Sequence, residues 1–360
     1  LMSPRPLTVS DLLNATDSFM WLERVTDYSK GMDINDSSHN LTHISHNTVL
    51  NLCDLCMYAV AYESDDEGGE EYPTLRRTSG PILPPVRNCI YYCIRVGSCL
   101  YLKREDATDL HTDATTDPSS WDVYHMHTGV FTQCNPTTGP PRCEETSYGS
   151  LSPSPASDKI LHYSADGLWL FDTESETWQR VSGSPPDDSG QHHFSLTTNT
   201  VGDSTVFVDF SAFDDERLRV TSFSETRGWE TLVPLNVHHY FCTGVNASLG
   251  NNQTICVSEG GVSVVDLITN EIRQLVDVDF DCVGVQIGPG LCLVQCRPPV
   301  YRTDDNEADD EGHDEESSAS MDTGGHADEW DAWYLLHLDL SMLQQTGGQL
   351  TADMLLGDLH

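Results

Sequence analysis

One short pattern recurs along the 360-residue chain at nearly even intervals, and it constrains the fold more than any other feature. Leu170 to Trp178 (LFDTESETW) reads as a strand, a polar turn and an aromatic residue six positions after Asp172. Thr221 to Trp229 keeps that frame, Val265 to Ile272 keeps it with Ile for Trp, and Val123 to Phe131 is a further copy. Phe131, Trp178, Trp229 and Ile272 lie 47, 51 and 43 residues apart. Leu338 to Met342 is a worn fifth copy, and its matching position, Gln345, falls one period later once the acidic stretch 304–331 is set aside. A period of this size marks a repeat architecture.

Inside each period the residues read as short strands. Ile90 to Leu102 is apolar and aromatic around a Val-Gly-Ser break, which predicts two strands and a tight turn. Ile160 to Phe171 repeats the device around Ala165-Asp166-Gly167, where glycine tolerates the positive φ of a hairpin turn. Further strands are expected at Thr205–Phe210, Thr254–Val257, Gly261–Asp266, Leu291–Gln295 and Trp333–Leu340, with a helical pattern only over Ser10–Val25. A four-stranded sheet that is apolar on both faces must stack on its neighbours, and closing the stack into a ring covers every sheet. The expected fold is all-β, a propeller of six blades, each of four antiparallel strands. A divergent first blade would fill about residues 8–88, with Trp21 as a candidate for its outer strand.

Charge narrows the partners. Lys and Arg number 18 against 57 Asp and Glu, a net charge of −39. A surface of that sign repels nucleic acid and anionic membranes, and no apolar run approaches the roughly 18 residues a membrane helix needs. The acids are concentrated. Residues 63–71 hold six and residues 304–331 hold thirteen, with no Lys or Arg in either, so both are expected to be disordered loop insertions. Neither carries the spacing of a calcium-binding loop.

The twelve cysteines are too sparse for a disulfide scaffold. Cys89 with Cys93, and Cys292 with Cys296, sit at even steps in apolar runs, as buried free thiols on one face of a strand would. Cys53 and Cys56 form the one C-x-x-C, without the second pair that zinc requires. Copper oxidase chemistry would need His, Tyr and Cys to converge. His125, His127, His192, His193, His238 and His239 are available, but no motif fixes them in a site, and a place at strand entry accounts for the His192-His193 and His238-His239 pairs. With no nucleophile elbow, phosphate loop or zinc-protease motif, no catalytic, cofactor or metal residue is assigned.

The repeat resembles the kelch motif, in which a strand and an aspartate-like turn lead to a Trp six residues on, as from Asp172 to Trp178. Pro84-Pro85-Val86-Arg87 before Asn88-Cys89-Ile90 is similar to the kelch inter-blade joint, while the Gly-Gly doublet usual in the second kelch strand is missing. Leu1 to Pro6 (LMSPRP) resembles the junction that precedes the propeller in BTB-BACK-kelch proteins, making residues 1–7 a linker and 8–360 the propeller. That resemblance implies a non-catalytic substrate-recognition domain of a cullin-RING ubiquitin ligase adaptor. Its target would be a protein with a basic segment, and cullin would be reached through an upstream BTB domain. No signal peptide opens the chain, which favours the cytoplasm. Five N-x-S/T sequons, at Asn14, Asn35, Asn40, Asn246 and Asn252, raise the alternative of a secreted or cell-surface glycosylated propeller.

Overall fold

The computed structural model describes residues 6–15, 18–26, 41–64, 71–83, 89–106, 121–134, 150–155, 158–164, 167–181, 196–201, 203–209, 219–235, 244–250, 252–258, 261–266, 269, 271–297 and 332–356. Helix α1 (Val9–Leu13) and strand β1 (Met20–Arg24) come first. Six blades then follow the sequence order, the fourth and fifth sharing one eight-stranded sheet. Blade one is β2 (Leu41–Ser45), β3 (Thr48–Asn51), β4 (Cys56–Ser64) and β5 (Glu71–Arg77). Blade two is β6 (Cys89–Val96), β7 (Cys99–Asp106), β8 (Trp121–His125) and β9 (Val130–Cys134). Blade three is β10 (Ser150–Pro153), β11 (Lys159–Ser164), β12 (Gly167–Asp172) and β13 (Thr177–Arg180). Blade four is β14 (Leu196–Val201), β15 (Ser204–Asp209), β16 (Arg219–Ser224) and β17 (Gly228–Leu235). Blade five is β18 (Val245–Gly250), β19 (Gln253–Ser258), β20 (Gly261–Asp266) and β21 (Glu271–Val276). Blade six takes β22 (Asp281–Gly288), β23 (Leu291–Arg297) and β24 (Trp333–Leu338) from the late chain, and helices α2 (Leu340–Gln345) and α3 (Ala352–Leu356) follow.

The first strands β2, β6, β10, β14, β18 and β22 each lie beside the next, and β22 returns to β2. The sheets therefore form a closed ring, the six-bladed propeller expected from the period. Blade six is completed by β1, which runs antiparallel to β24 with Met20 opposite Leu338 and Arg24 opposite Tyr334. The chain then passes into blade one, where the Thr26 N–H donates to the Pro73 carbonyl at 2.9 Å. Blades four and five are further joined by parallel pairing of Val233–Leu235 with Glu271–Arg273.

The recurring anchors occupy one structural position. Phe131, Trp178, Trp229 and Ile272 are each the second residue of an outer strand, opposite Tyr124, Phe171, Phe223 and Val265 respectively. The Phe131 and Tyr124 rings have centroids 4.8 Å apart, Trp178 and Phe171 5.0 Å, and Trp229 and Phe223 5.3 Å. Each aromatic also packs on the preceding blade. Phe131 joins Ile44, Leu50 and Leu52 of blade one, Trp178 joins Tyr101 and Trp121 of blade two, and Trp229 joins Leu161 and Leu168 of blade three. The aspartate of the repeat has its own task. The Asp172 carboxylate accepts the N–H groups of Glu174 and Ser175, and that of Asp266 accepts the N–H of Thr269, which closes the turn before the outer strand.

Several expectations need correction. The helix expected over Ser10–Val25 stops at Leu13, capped by Asn14; MWLER then goes to the sheet, where Met20 and Leu22 bury apolar side chains. Trp21 accordingly lies on an outer strand, but that of blade six. In the fifth copy, Asp339 caps helix α2 through the Ser341 N–H (2.9 Å) instead of closing a hairpin, and Gln345 is the last residue of that helix. The outer-strand place it would have supplied is taken by β1. Glu63 and Ser64 end β4 and Glu71 opens β5, since Glu63 pairs opposite Tyr72 and ion-pairs with Arg76, so the first acidic stretch is partly strand. Residues 65–70 and 304–331 lie outside the described residues, as do Leu1 to Arg5 and Pro84 to Asn88. Leu7, the end of the expected linker, is docked, with its N–H donating to the Asp277 carbonyl at 2.8 Å.

Candidate protein-binding rim

Antiparallel order within each blade sorts the connections onto two rims. Turns from the first to the second strand and from the third to the fourth share one rim; connections from the second to the third strand and from blade to blade share the other. On the first rim the turns are short, as at 46–47, 97–98, 173–176 and 251–252, and blade six apart the longest is 65–70. The second rim gathers the connections 78–88, 107–120, 135–149, 181–195, 210–218 and 298–332. Connections can vary in length and composition without disturbing the sheets that carry them, and so they are where binding specificity is built.

The described residues of the second rim include a line of three acids. Between blades five and six the sequence Asp277-Val278-Asp279-Phe280-Asp281 buries Val278 and Phe280, and Asp279 between them is half-buried with its Oδ1 shut away from solvent. Asp277 is exposed; its Oδ1 accepts from Gln274 Nε2 at 2.7 Å. Asp281 accepts the N–H of Cys282 at 2.8 Å. The stretch 298–332, which includes the thirteen acids of 304–331, leaves β23 at the same rim of the adjoining blade. In blade one, Asp54 takes the Tyr58 hydroxyl at 2.6 Å and the Cys56 N–H at 2.9 Å, and burial with the Asp54 carboxylate pushes the Tyr58 phenol well above its usual range. Exposed Arg77 is turned to the Ser79 carbonyl at 2.9 Å.

The short-turn rim is internally fastened. Lys159 of blade three reaches Glu225 of blade four at 2.8 Å, where Ser154 also donates, and Arg227 bridges Asp203 at 2.8 Å and Glu230 at 3.5 Å. Its hydrogen bond to Glu225 raises the Lys159 pKa.

Of the histidines weighed as copper ligands, two lie among the described residues. His125 uses Nδ1 against the Cys99 thiol (3.3 Å) and Nε2 against Thr132 Oγ1 (2.9 Å), and His127 stands in the turn after β8. His192, His193, His238 and His239 lie outside the described residues. Among the described residues no group of three or more His, Cys, Asp or Glu is arranged to hold a metal ion. Cys53 is exposed while Cys56 is buried, so this C-x-x-C does not present two thiols together. Cys292 and Cys296 share a buried strand face, as their spacing predicts. Among the described residues no helix is long and apolar enough to cross a membrane. No protein-family model matches the chain, and no curated protein matches it.

The sequence could not assign the rim, because that requires knowing which strand each connection leaves. The alternation of Asp with Val and Phe in 277–281 was the one readable signal for its acidic line.

Proposed function

We propose that this propeller is a non-catalytic protein-binding module that takes a basic segment of its partner on the long-connection rim. The observation that carries the reading is that the longest connections gather on one rim, with exposed Asp277 on that side. A propeller fold supports protein binding in general. The excess of acids adds long-range attraction for a cationic partner, which quickens association at low salt. Binding of an arginine- and lysine-rich peptide library tests it, comparing Asp277→Lys with Glu174→Lys on the opposite rim. Selective weakening by Asp277→Lys that fades as salt rises supports the reading; equal effects from both variants contradict it.

The finer role, recruitment of substrate to a cullin-RING ubiquitin ligase in the cytoplasm, is supported by the kelch-like repeat and the LMSPRP junction in the sequence. Affinity capture of the full parent chain recovering cullin would support it, and capture without cullin would count against it. One observation favours the secreted alternative. Asn252 stands exposed in the turn between β18 and β19, open to a glycan. A mobility shift on glycosidase treatment is the matching test.

A further inference from the structure

Blade six holds two thiols face to face. Cys282 on β22, the innermost strand, is the direct cross-strand partner of Cys296 on β23. Both are buried, at 1% and 0% exposure, and both are free. The Cys282 thiol is hydrogen-bonded to that of Cys296. The Cys282 N–H is turned to the Asp281 carboxylate at 2.8 Å, the orientation found in a cross-strand pair whose amides point away from each other. Such pairs hold their Cα atoms about 4.5 Å apart, inside the roughly 4.4–6.8 Å that a disulfide spans.

We propose that Cys282 and Cys296 form a built-in dithiol that closes to a cross-strand disulfide under oxidising conditions, fastening the channel-lining strand β22 to β23. The oxidant is a small disulfide of the glutathione class. One thiol loses its proton and attacks the oxidant, forming a mixed disulfide and expelling one reduced thiol. The second cysteine, as thiolate, attacks the protein sulfur of that mixed disulfide and expels the other reduced thiol. Two protein thiols are oxidised and one small disulfide is reduced to two thiols. Cys292 is excluded as the partner because it lies opposite Gln286. Only a thiolate attacks, and the neighbouring Cys296 thiol together with burial raises the Cys282 pKa, so closure from the folded state is slow and closure during folding is fast.

The test uses the full chain, refolded from denaturant in a reduced and oxidised glutathione mixture, then denatured, alkylated without reductant and digested with trypsin. Cleavage after Arg273 and Arg302, the Arg297–Pro298 bond being resistant to trypsin, leaves Cys282, Cys292 and Cys296 in one peptide, so the Cys292→Ser variant isolates the pair. The expected peptide carries no alkyl group and is lighter by two hydrogens than its reduced form. In Cys282→Ser/Cys292→Ser, Cys296 is expected to be alkylated or to carry glutathione. Alkylation of both Cys282 and Cys296 in Cys292→Ser, or glutathione adducts there without an internal bond, overturns the proposal. Pairing of Cys292 with either residue in the unmodified chain overturns it as well.

Discussion

The indole of Trp21 lies flat on the imidazole of His337, with ring centroids 4.9 Å apart and planes 3° from parallel. These residues sit at opposite ends of the sequence and directly across the β1–β24 ladder. Glu23, two positions along the same face of β1, sits 3.0 Å through Oε2 from His337 Nε2 and accepts from the Tyr62 hydroxyl of blade one at 3.1 Å. One cluster thus joins the start of the chain, the last blade and the first. Aromatic pairing contributes about 0.5–1.5 kcal/mol beyond area burial. His337→Ala is therefore expected to lower unfolding stability by about 1 kcal/mol, and Trp21→Ala by about 2 kcal/mol with the added loss of buried ring surface. Denaturant titration of each variant and of the double variant measures both costs, and the double loss should fall short of additive because the rings share one contact.

Trp178 shows what an anchor contributes. It is 9% exposed, meets Phe171 in its own blade, and its indole N–H has no hydrogen-bond partner. Trp178→Ala is expected to cost about 3–5 kcal/mol. Trp178→Phe should cost much less, because no hydrogen bond is lost and the apolar contact is largely kept. Thermal or denaturant unfolding distinguishes the two.

Gly284 on the inner strand β22 admits no side chain. A Cβ there would lie 2.1 Å from the Leu293 carbonyl oxygen, a backbone atom that cannot swing aside. Gly284→Ala is expected to destabilise by about 2 kcal/mol or more. Gly80, with nothing within 4 Å of such a Cβ, serves as control, and Gly80→Ala should stay within about 0.5 kcal/mol of the parent.

The pH dependence has two arms with different owners. Hydrogen bonds from Ser175 hold the Asp172 carboxyl below its ordinary 3.8, and bonds from Ser341 do the same for Asp339. A depressed folded pKa gives stability that is full above the unfolded value and lost as pH falls through the folded one. Acid should therefore weaken the Asp172 turn and the Asp339 helix cap below about pH 4. Burial, with Glu23 beside it, pushes the Tyr62 phenol up to about 12. Its contribution is present below the unfolded value of 10.0 and disappears as pH rises through about 12. Urea midpoints across pH, with Asp172→Ala and Tyr62→Phe, assign each arm: the first variant should flatten the acid limb and the second the alkaline limb.

The repeat was legible because its chemistry is local: a turn-closing Asp172 or Asp266, and an aromatic or aliphatic residue six positions on, always second in an outer strand. Hairpins such as that at Gly167, with φ of 108°, were legible for the same reason. The closure was not. MWLER continues a run that reads as helical from Ser10, and only its partner β24, more than three hundred residues away, makes it a strand. Likewise Asp339 opens a helix with the side-chain device that closes a hairpin at Asp172, and nothing local separates the two outcomes. The rim could not be read either, since a connection's place depends on the strand it leaves.

The central claim is that β1 closes a six-bladed ring by pairing with β24. The direct measurement is disulfide trapping in a Trp21→Cys/His337→Cys variant, whose Cα partners lie within reach of a bond if the strands pair as described. Mild oxidation followed by peptide mapping should recover a peptide containing residue 21 linked to one containing residue 337, within a monomer. Recovery of both cysteines unlinked, or linked only between molecules, would contradict the ring.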